Sequence, residues 1–103
     1  MAPVSVRRDD DARQYVASVD DATAGTLLFR ERPGLIALVH TEVDPRFEGA
    51  GVGSALAVFA LEDARTRGLA VLPFCPFVAG YLKRHREYVD LVPAQYRDTF
   101  DLR

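Results

Sequence analysis

The chain has 103 residues, a length typical of one domain that buries roughly 60–70% of the surface of its unfolded form. Its formal net charge is −2 and its hydrophobic content is 49%, values that are ordinary for a globular domain and exclude the basic surface of a nucleic-acid-binding protein. The single cysteine excludes an internal disulfide, and the charged N-terminus and the lack of a long apolar run argue against a signal peptide and a membrane helix. Together these features predict a cytoplasmic protein.

The first half of the chain predicts an antiparallel meander of three strands. Residues 1–12 are interpreted as a loose lead-in, followed by strands over Gln14–Val19 and Gly25–Arg30 and by a third strand that starts with Leu35–Val39 and is broken after Val43 by Asp44-Pro45. A Pro-Gly pair fits the central positions of a tight turn between the second strand and the third. The third strand starts with a continuous apolar run, Leu35–Val39, which is typical of a central strand covered on both faces.

The second half predicts a helix, a strand and another helix. The first helix is expected from about Ala55 to Arg67, with Gly68 as its C-cap. A strand over Leu69–Phe74 follows, and Pro76 opens the second helix because proline suits the first helical position. The order is therefore β-β-β-α-β-α, an α/β sheet of mixed direction in which the helical crossover makes one parallel pair.

Three alternating glycines, Gly49, Gly51 and Gly53, lie immediately before the first predicted helix. Glycine permits a close approach of the backbone, and the first helical turn adds free N–H groups and the positive end of the helix dipole. Together these features predict a cradle for an anion, most often phosphate. The spacing fits neither the dinucleotide-binding fingerprint nor the nucleotide P-loop. The structural alternative is a glycine-rich turn before a packed helix.

The glycine stretch resembles the (Arg/Gln)-x-x-Gly-x-(Gly/Ala) signature of the GCN5-related N-acetyltransferases (GNAT), with Arg46, Gly49 and Gly51 at its three fixed places. Around it, the motifs His40-Thr41-Glu42-Val43, Cys75-Pro76-Phe77-Val78 and His85-Arg86-Glu87-Tyr88 occur in order. They are similar to the minimal single-domain acetyltransferase-like proteins of the YjdJ type, over roughly residues 25–92. Proteins of this type usually have His-Pro-Glu-Tyr late in the chain, where this chain has Arg86 in place of the proline.

The resemblance implies one GNAT-like domain over residues 1–103, with a parallel strand pair that splays apart at a cofactor cleft. It implies acetyl-CoA as the cofactor, with its pyrophosphate on the glycine loop. The full fold usually has one or two helices between its first strands, which commonly help to bind the acceptor, and this chain has no room for them. The residues expected to contact the cofactor are Val43, Arg46, Gly49, Ala50, Gly51, Val52, Gly53 and Ser54.

Acetyl transfer to an amine requires removal of a proton, stabilisation of an oxyanion and departure of a thiolate. The resemblance implies that the backbone N–H of Val43 stabilises the oxyanion. His40 and Glu42 share one face of a strand, so either can accept the proton of the amine. Cys75 precedes a helix whose dipole favours a thiolate; it can take the acetyl group or line the pantetheine channel. Tyr81 is near the position from which related enzymes protonate the thiolate. Each of these side chains also has a structural interpretation, as a solvated or packed residue.

The sequence therefore predicts an acetyl-CoA-dependent N-acetyltransferase whose amine acceptor, a small molecule or a protein, is unknown. The alternative on the same fold is a non-catalytic module that binds acetyl-CoA or CoA. A third hypothesis is a structural α/β domain with a protein partner. No metal site, nucleic-acid partner or membrane partner is expected, and no oligomeric state is predicted.

Overall fold

A computed structural model describes residues 3–103 as a five-stranded sheet with two α-helices. The strands are β1 Ser5–Asp9, β2 Gln14–Val19, β3 Ala22–Arg32, β4 Leu35–Val43 and β5 Ala70–Pro73. The helices are α1 Val52–Arg67 and α2 Pro76–Arg84, and short 3-10 turns cover Pro45–Phe47, Arg86–Leu91 and Ala94–Tyr96. The sheet order follows the chain order; β1 to β4 are antiparallel and β4 pairs with β5 in parallel. The predicted α/β sheet with one parallel pair is confirmed.

The interpretation of residues 1–12 as a loose lead-in is wrong for the residues that form β1. This strand pairs with β2 from Ser5 opposite Ser18 to Asp9 opposite Gln14. Its side chain Arg8 lies over the ring of Phe29, with its guanidinium carbon 4.4 Å from the ring centroid. The charged sequence that suggested a loose segment is therefore what attaches the strand to the rest of the domain. Residues 1–2 of the lead-in lie outside the described residues.

β4 is fully buried on one face only, so its predicted coverage on both faces is wrong. Ile36 and Leu38 have no exposed surface, whereas Leu35 and Ala37 between them are half-buried and Val39 is exposed. Tight turns connect β2, β3 and β4 directly, so no helix between these strands covers the second face. That face is called the open face below.

α1 supplies much of the core and ends where the sequence predicted. Gly51 is its N-cap and Gly68 its C-cap, and both adopt the left-handed conformation. The helix begins at Val52, three residues earlier than expected, because the glycine loop continues directly into the first turn. Two basic residues of the last turn, Arg65 and Arg67, lie at the negative end of the helix dipole. No helix of residues 3–103 is long and apolar enough to span a lipid bilayer.

Candidate functional site

The parallel strands β4 and β5 separate at one end. They pair from Leu35 opposite Ala70 to Leu38 opposite Pro73. β4 then continues to Val43, while the chain after Pro73 turns into α2. The N–H of Cys75, the N-cap of α2, donates to the carbonyl oxygen of Leu38 at 2.9 Å and closes the base of the opening. The predicted splay is therefore present, and we call the space beyond Leu38 the gap.

A bulge in β4 decides which side chains face the gap. Phe29 pairs with Leu38 and Leu28 pairs with His40, so Val39 has no partner on β3. An extra residue of this kind reverses the alternation of side chains. The buried Leu38 is therefore followed on its own face by Thr41 and not by His40.

Thr41 and Cys75 meet across the base of the gap. The hydroxyl oxygen of Thr41 lies 3.1 Å from the Cys75 sulfur, and Cys75 is only 3% exposed. No role for Thr41 was predicted from the sequence. Its place in the motif His40-Thr41-Glu42-Val43 was the available signal. Strict alternation from Leu38 predicts Thr41 on the open face. The bulge that reverses this alternation cannot be recognised from the sequence.

His40 and Glu42 form the pair expected from their spacing. The Nε2 atom of His40 lies 3.1 Å from Oε1 of Glu42, and the two side chains are 56% and 74% exposed. Both belong to the open face, because they pair with Leu28 and Thr26 in the phase opposite to Thr41. The structure thus brings the two candidate bases together and places Cys75 on the other face of the sheet.

The glycine loop and the start of α1 present free backbone N–H groups. The first intrahelical bond runs from the N–H of Ala55 to the carbonyl of Gly51 at 3.0 Å, so the N–H groups of Val52, Gly53 and Ser54 precede any intrahelical acceptor. The helix has no side-chain cap and no acidic residue in its first turn. Val43, Phe47, Glu48, Gly49, Gly51, Val52, Gly53, Ser54 and Phe77 line a depression of about 260 Å³ at this place.

The glycines of the loop serve different purposes. Gly49 and Gly51 have φ angles of +83° and +80°, and a Cβ added at either would point into open space. Gly53 lies inside the first turn, where an added Cβ would approach the Phe77 ring to 2.7 Å, so it permits α2 to pack against α1. Ala50, also predicted to contact the cofactor, has its N–H bonded to the carbonyl of Phe47 at 3.1 Å.

Arg46 lies at the edge of the loop and pairs with a carboxylate. Its guanidinium donates to Asp44 at 2.9 Å, and the same carboxylate accepts the backbone N–H of Arg46 at 2.9 Å. These hydrogen bonds hold the pKa of Asp44 below its usual value. Arg46, Asp44, Glu42 and Val43 also line a larger depression of about 540 Å³, which lies between β3 and β4. Arg46 therefore connects the loop to the strand end that carries Glu42.

Tyr81 lies in an aromatic cluster towards the end of α2. It is 7% exposed and its ring stacks on His85 at a centroid distance of 4.1 Å. Tyr88 is the next ring, and its hydroxyl donates to Glu62 at 2.7 Å, a bond that raises the pKa of Tyr88 to about 12. Across residues 3–103 no hydrogen bond connects Tyr81 with the other candidate catalytic side chains. Its contacts are those of a packed side chain.

Comparison with known proteins agrees with this geometry. The family described as GCN5-related N-acetyl-transferase matches residues 14–91. Among solved structures the chain is similar to Ard1 from Thermoplasma volcanium, with 26% sequence identity and a TM-score of 0.51 over 57% of this chain and 41% of that one. This chain thus spans less than half of the Ard1 chain, and no curated protein matches it significantly. Because the family match covers most of its length, the chain belongs to the GCN5-related N-acetyltransferases.

Proposed function

We propose that this protein is an acetyl-CoA-dependent N-acetyltransferase that transfers an acetyl group to an amine. The observation that carries the proposal is the gap between β4 and β5, which opens beside a helix N-terminus with free N–H groups. Members of the family generally use acetyl-CoA.

The residues of the loop fit a pyrophosphate. The N–H groups of Val52, Gly53 and Ser54 point out of the helix at its positive end, and no side chain of residues 3–103 caps them. The open space beside Gly49 and Gly51 leaves room for a bulky anion. Arg46, which is 71% exposed, can turn from Asp44 towards the same anion. When bound, acetyl-CoA would supply the activated acetyl group.

The direction of the backbone N–H of Val43 supports its proposed role as the donor to the oxyanion. The N–H of Asp44 donates to the carbonyl of Ala24 at 2.8 Å, towards β3. Because N–H groups alternate between the two sides of a strand, the N–H of Val43 is directed to the gap. In our proposal this N–H stabilises the oxyanion and Glu42, assisted by His40, receives the proton of the amine. Cys75 and Thr41 form the base of the gap.

The alternative is a non-catalytic module that binds CoA. This alternative is favoured by the exposure of the His40–Glu42 pair, because a base that is freely hydrated does little to position a substrate. Acetyl-CoA binding is common to both functions, and turnover with an amine separates them.

The test of the cradle is calorimetric titration with acetyl-CoA, CoA and pantetheine, which lacks the pyrophosphate. We expect Gly51→Val to weaken acetyl-CoA binding at least tenfold, about 1.4 kcal/mol, because the valine side chain enters the space beside the N–H groups. Gly34→Val is the matched control, since Gly34 also has a positive φ angle, +75°, with open space around it, but lies in the β3–β4 turn at the other end of β4. Equal affinities of the two variants for acetyl-CoA, or a wild-type affinity for pantetheine as high as that for CoA, would show that the loop is not the cradle.

A further inference from the structure

Two aromatic rings lie at the rim of the gap. Phe74 follows Pro73, the last residue of β5 that pairs with β4, and it is 56% exposed. The ring of Phe100 packs edge-on against it, with a centroid distance of 5.3 Å and an interplanar angle of 79°. The side of the gap that belongs to β5 therefore ends in an apolar wall, part of which comes from the last residues of the chain.

The C-terminal segment, residues 98–103, is anchored in this position. Leu102 is completely buried, and the Arg86 guanidinium donates to the carbonyl oxygens of Leu102 and Arg103 at 3.1 and 2.9 Å. Lys83 pairs with Asp101 at 3.2 Å. Arg86 stands where similar proteins have a proline, and a proline has no donor for these carbonyls. The departure in the motif thus holds the segment that carries Phe100.

β4 beyond Leu38 carries the His40–Glu42 pair on the open face. β4 and β5 separate after the pair Leu38–Pro73. His40 lies two positions after Leu38 on β4, and Phe74 lies one position after Pro73. Glu42 offers a carboxylate that is 74% exposed. The carboxylates of Asp101 and Asp44 are already paired, with Lys83 and Arg46. The strand ends that border the gap thus carry one exposed carboxylate on β4 and two aromatic rings after β5.

We propose that this mouth selects primary amines with a single positive charge on an apolar body, that is, aralkyl and alkyl amines, and that Phe74 and Phe100 determine this specificity. The inference rests on the proposed function and names its acceptor class. Glu42 attracts the ammonium group, and the two rings bury the apolar body and favour a cation near their faces. A polyamine matches the mouth poorly, because its further ammonium groups would take the place of the apolar body that the two rings bury. Arg86 is a positioning residue, which acts through the C-terminal segment.

The experiment compares kcat/KM for 2-phenylethylamine, spermidine and a lysine-containing peptide. We expect 2-phenylethylamine to be preferred at least tenfold. Phe100→Ala and Phe74→Ala should each lower kcat/KM for it about tenfold and leave spermidine unchanged, while Phe100→Tyr, which keeps the ring, retains the preference. Arg86→Pro should reproduce the Phe100→Ala loss. Phe59→Ala is the control, since Phe59 is also an exposed phenylalanine, at 36%, but lies on α1.

Acetyl-CoA affinity and the melting temperature are measured for every variant, so that a folding defect is recognised. Phe74 is more exposed than Phe100, so Phe74→Ala tests the same wall with less effect on the core. Equal kcat/KM for the three amines, unaffected by either variant, would overturn the inferred acceptor class and leave the acetyltransferase function standing. Failure of the wild-type protein to acetylate any of them, despite binding acetyl-CoA, would overturn the catalytic function and the inference with it.

Discussion

At the scale of single residues, the unpaired Val39 governs the chemistry of β4. Without it, His40 and Glu42 would continue the face of Ile36 and Leu38 into the interior. With it, Thr41 takes the interior position beside Cys75, and the polar pair is presented on the open face. One inserted residue thus separates a buried sulfur from an exposed carboxylate, and in the proposed reaction the acceptor and the thioester would approach from opposite faces of the sheet.

This arrangement predicts a specific defect for Glu42→Gln. If Glu42 accepts the proton of the amine, the variant should lose roughly 100-fold in kcat at neutral pH, the lower end of the usual contribution of a general base. The deficit should shrink as the pH rises towards about 10, because alkyl amines then lose their proton to solvent. The measurement is a pH profile of kcat with unchanged acetyl-CoA affinity. Glu48→Gln, an exposed glutamate of the glycine loop, is the control; a deficit independent of pH would assign Glu42 another role.

Cys75 allows a second prediction at the same scale. Its sulfur is nearly buried and already has Thr41 as a polar partner, so we expect it to line the gap while the acetyl group passes directly to the amine. Protein incubated with acetyl-CoA without an amine should then show no added acetyl mass, and Cys75→Ala should keep its turnover within a few-fold. Because the chain has one cysteine, an added acetyl mass in intact-mass spectrometry that hydroxylamine removes as a thioester reports on this thiol. An acetyl group on Cys75 would instead assign it the role of nucleophile.

At the scale of elements, local patterns predicted those parts that local interactions determine. β2 was predicted with its observed bounds, Gln14–Val19, and the end of α1 with its glycine C-cap was predicted correctly. β1 was missed because Arg8 reaches its partners far along the chain, Glu31 on β3 and Asp63 on α1. Contacts of such separation leave no periodicity in a strand of five residues.

The candidate site divides in the same way. The glycine loop is continuous in sequence, so its motif and its cap geometry were accessible from the sequence alone. The Thr41–Cys75 contact and the Phe74–Phe100 wall join residues 34 and 26 positions apart, through a bulge and a terminal segment that show no pattern. The sequence therefore described the glycine loop more fully than the residues of the proposed acceptor mouth.

At the scale of the whole molecule, one polar cluster ties the sheet to α1. Asp63 on α1 accepts hydrogen bonds from Tyr15 on β2 at 2.8 Å, from Arg8 on β1 at 3.2 Å and from Arg67 at 2.9 Å. Burial by itself raises the pKa of Asp63, but the hydrogen bonds from Arg67, Tyr15 and Arg8 outweigh it and hold the pKa below its usual value. The same site, mainly through burial, raises the pKa of the Tyr15 hydroxyl, which therefore stays protonated at neutral pH.

The cluster predicts how the stability of the domain depends on acid. Because the folded-state pKa of Asp63 is depressed, its stabilisation is fully present above the unfolded value of about 4 and is lost as the pH falls through the folded-state pKa. At pH 7, Asp63→Asn should lower the free energy of unfolding by about 1.5–3 kcal/mol, the range for hydrogen bonds to a charged group. The difference between the wild-type protein and the variant should then shrink below about pH 4, as the wild-type carboxylate takes up its proton.

Urea unfolding at a series of pH values measures both curves, and subtracting them removes the contributions of Asp44 and Asp90, whose pKa values are also lowered but which both proteins share. Asp98→Asn, at a carboxylate that is 72% exposed and pairs with Arg103, should follow the wild-type curve; a constant difference for Asp63→Asn at all pH values would mean that Asp63 acts through packing and not through its charge.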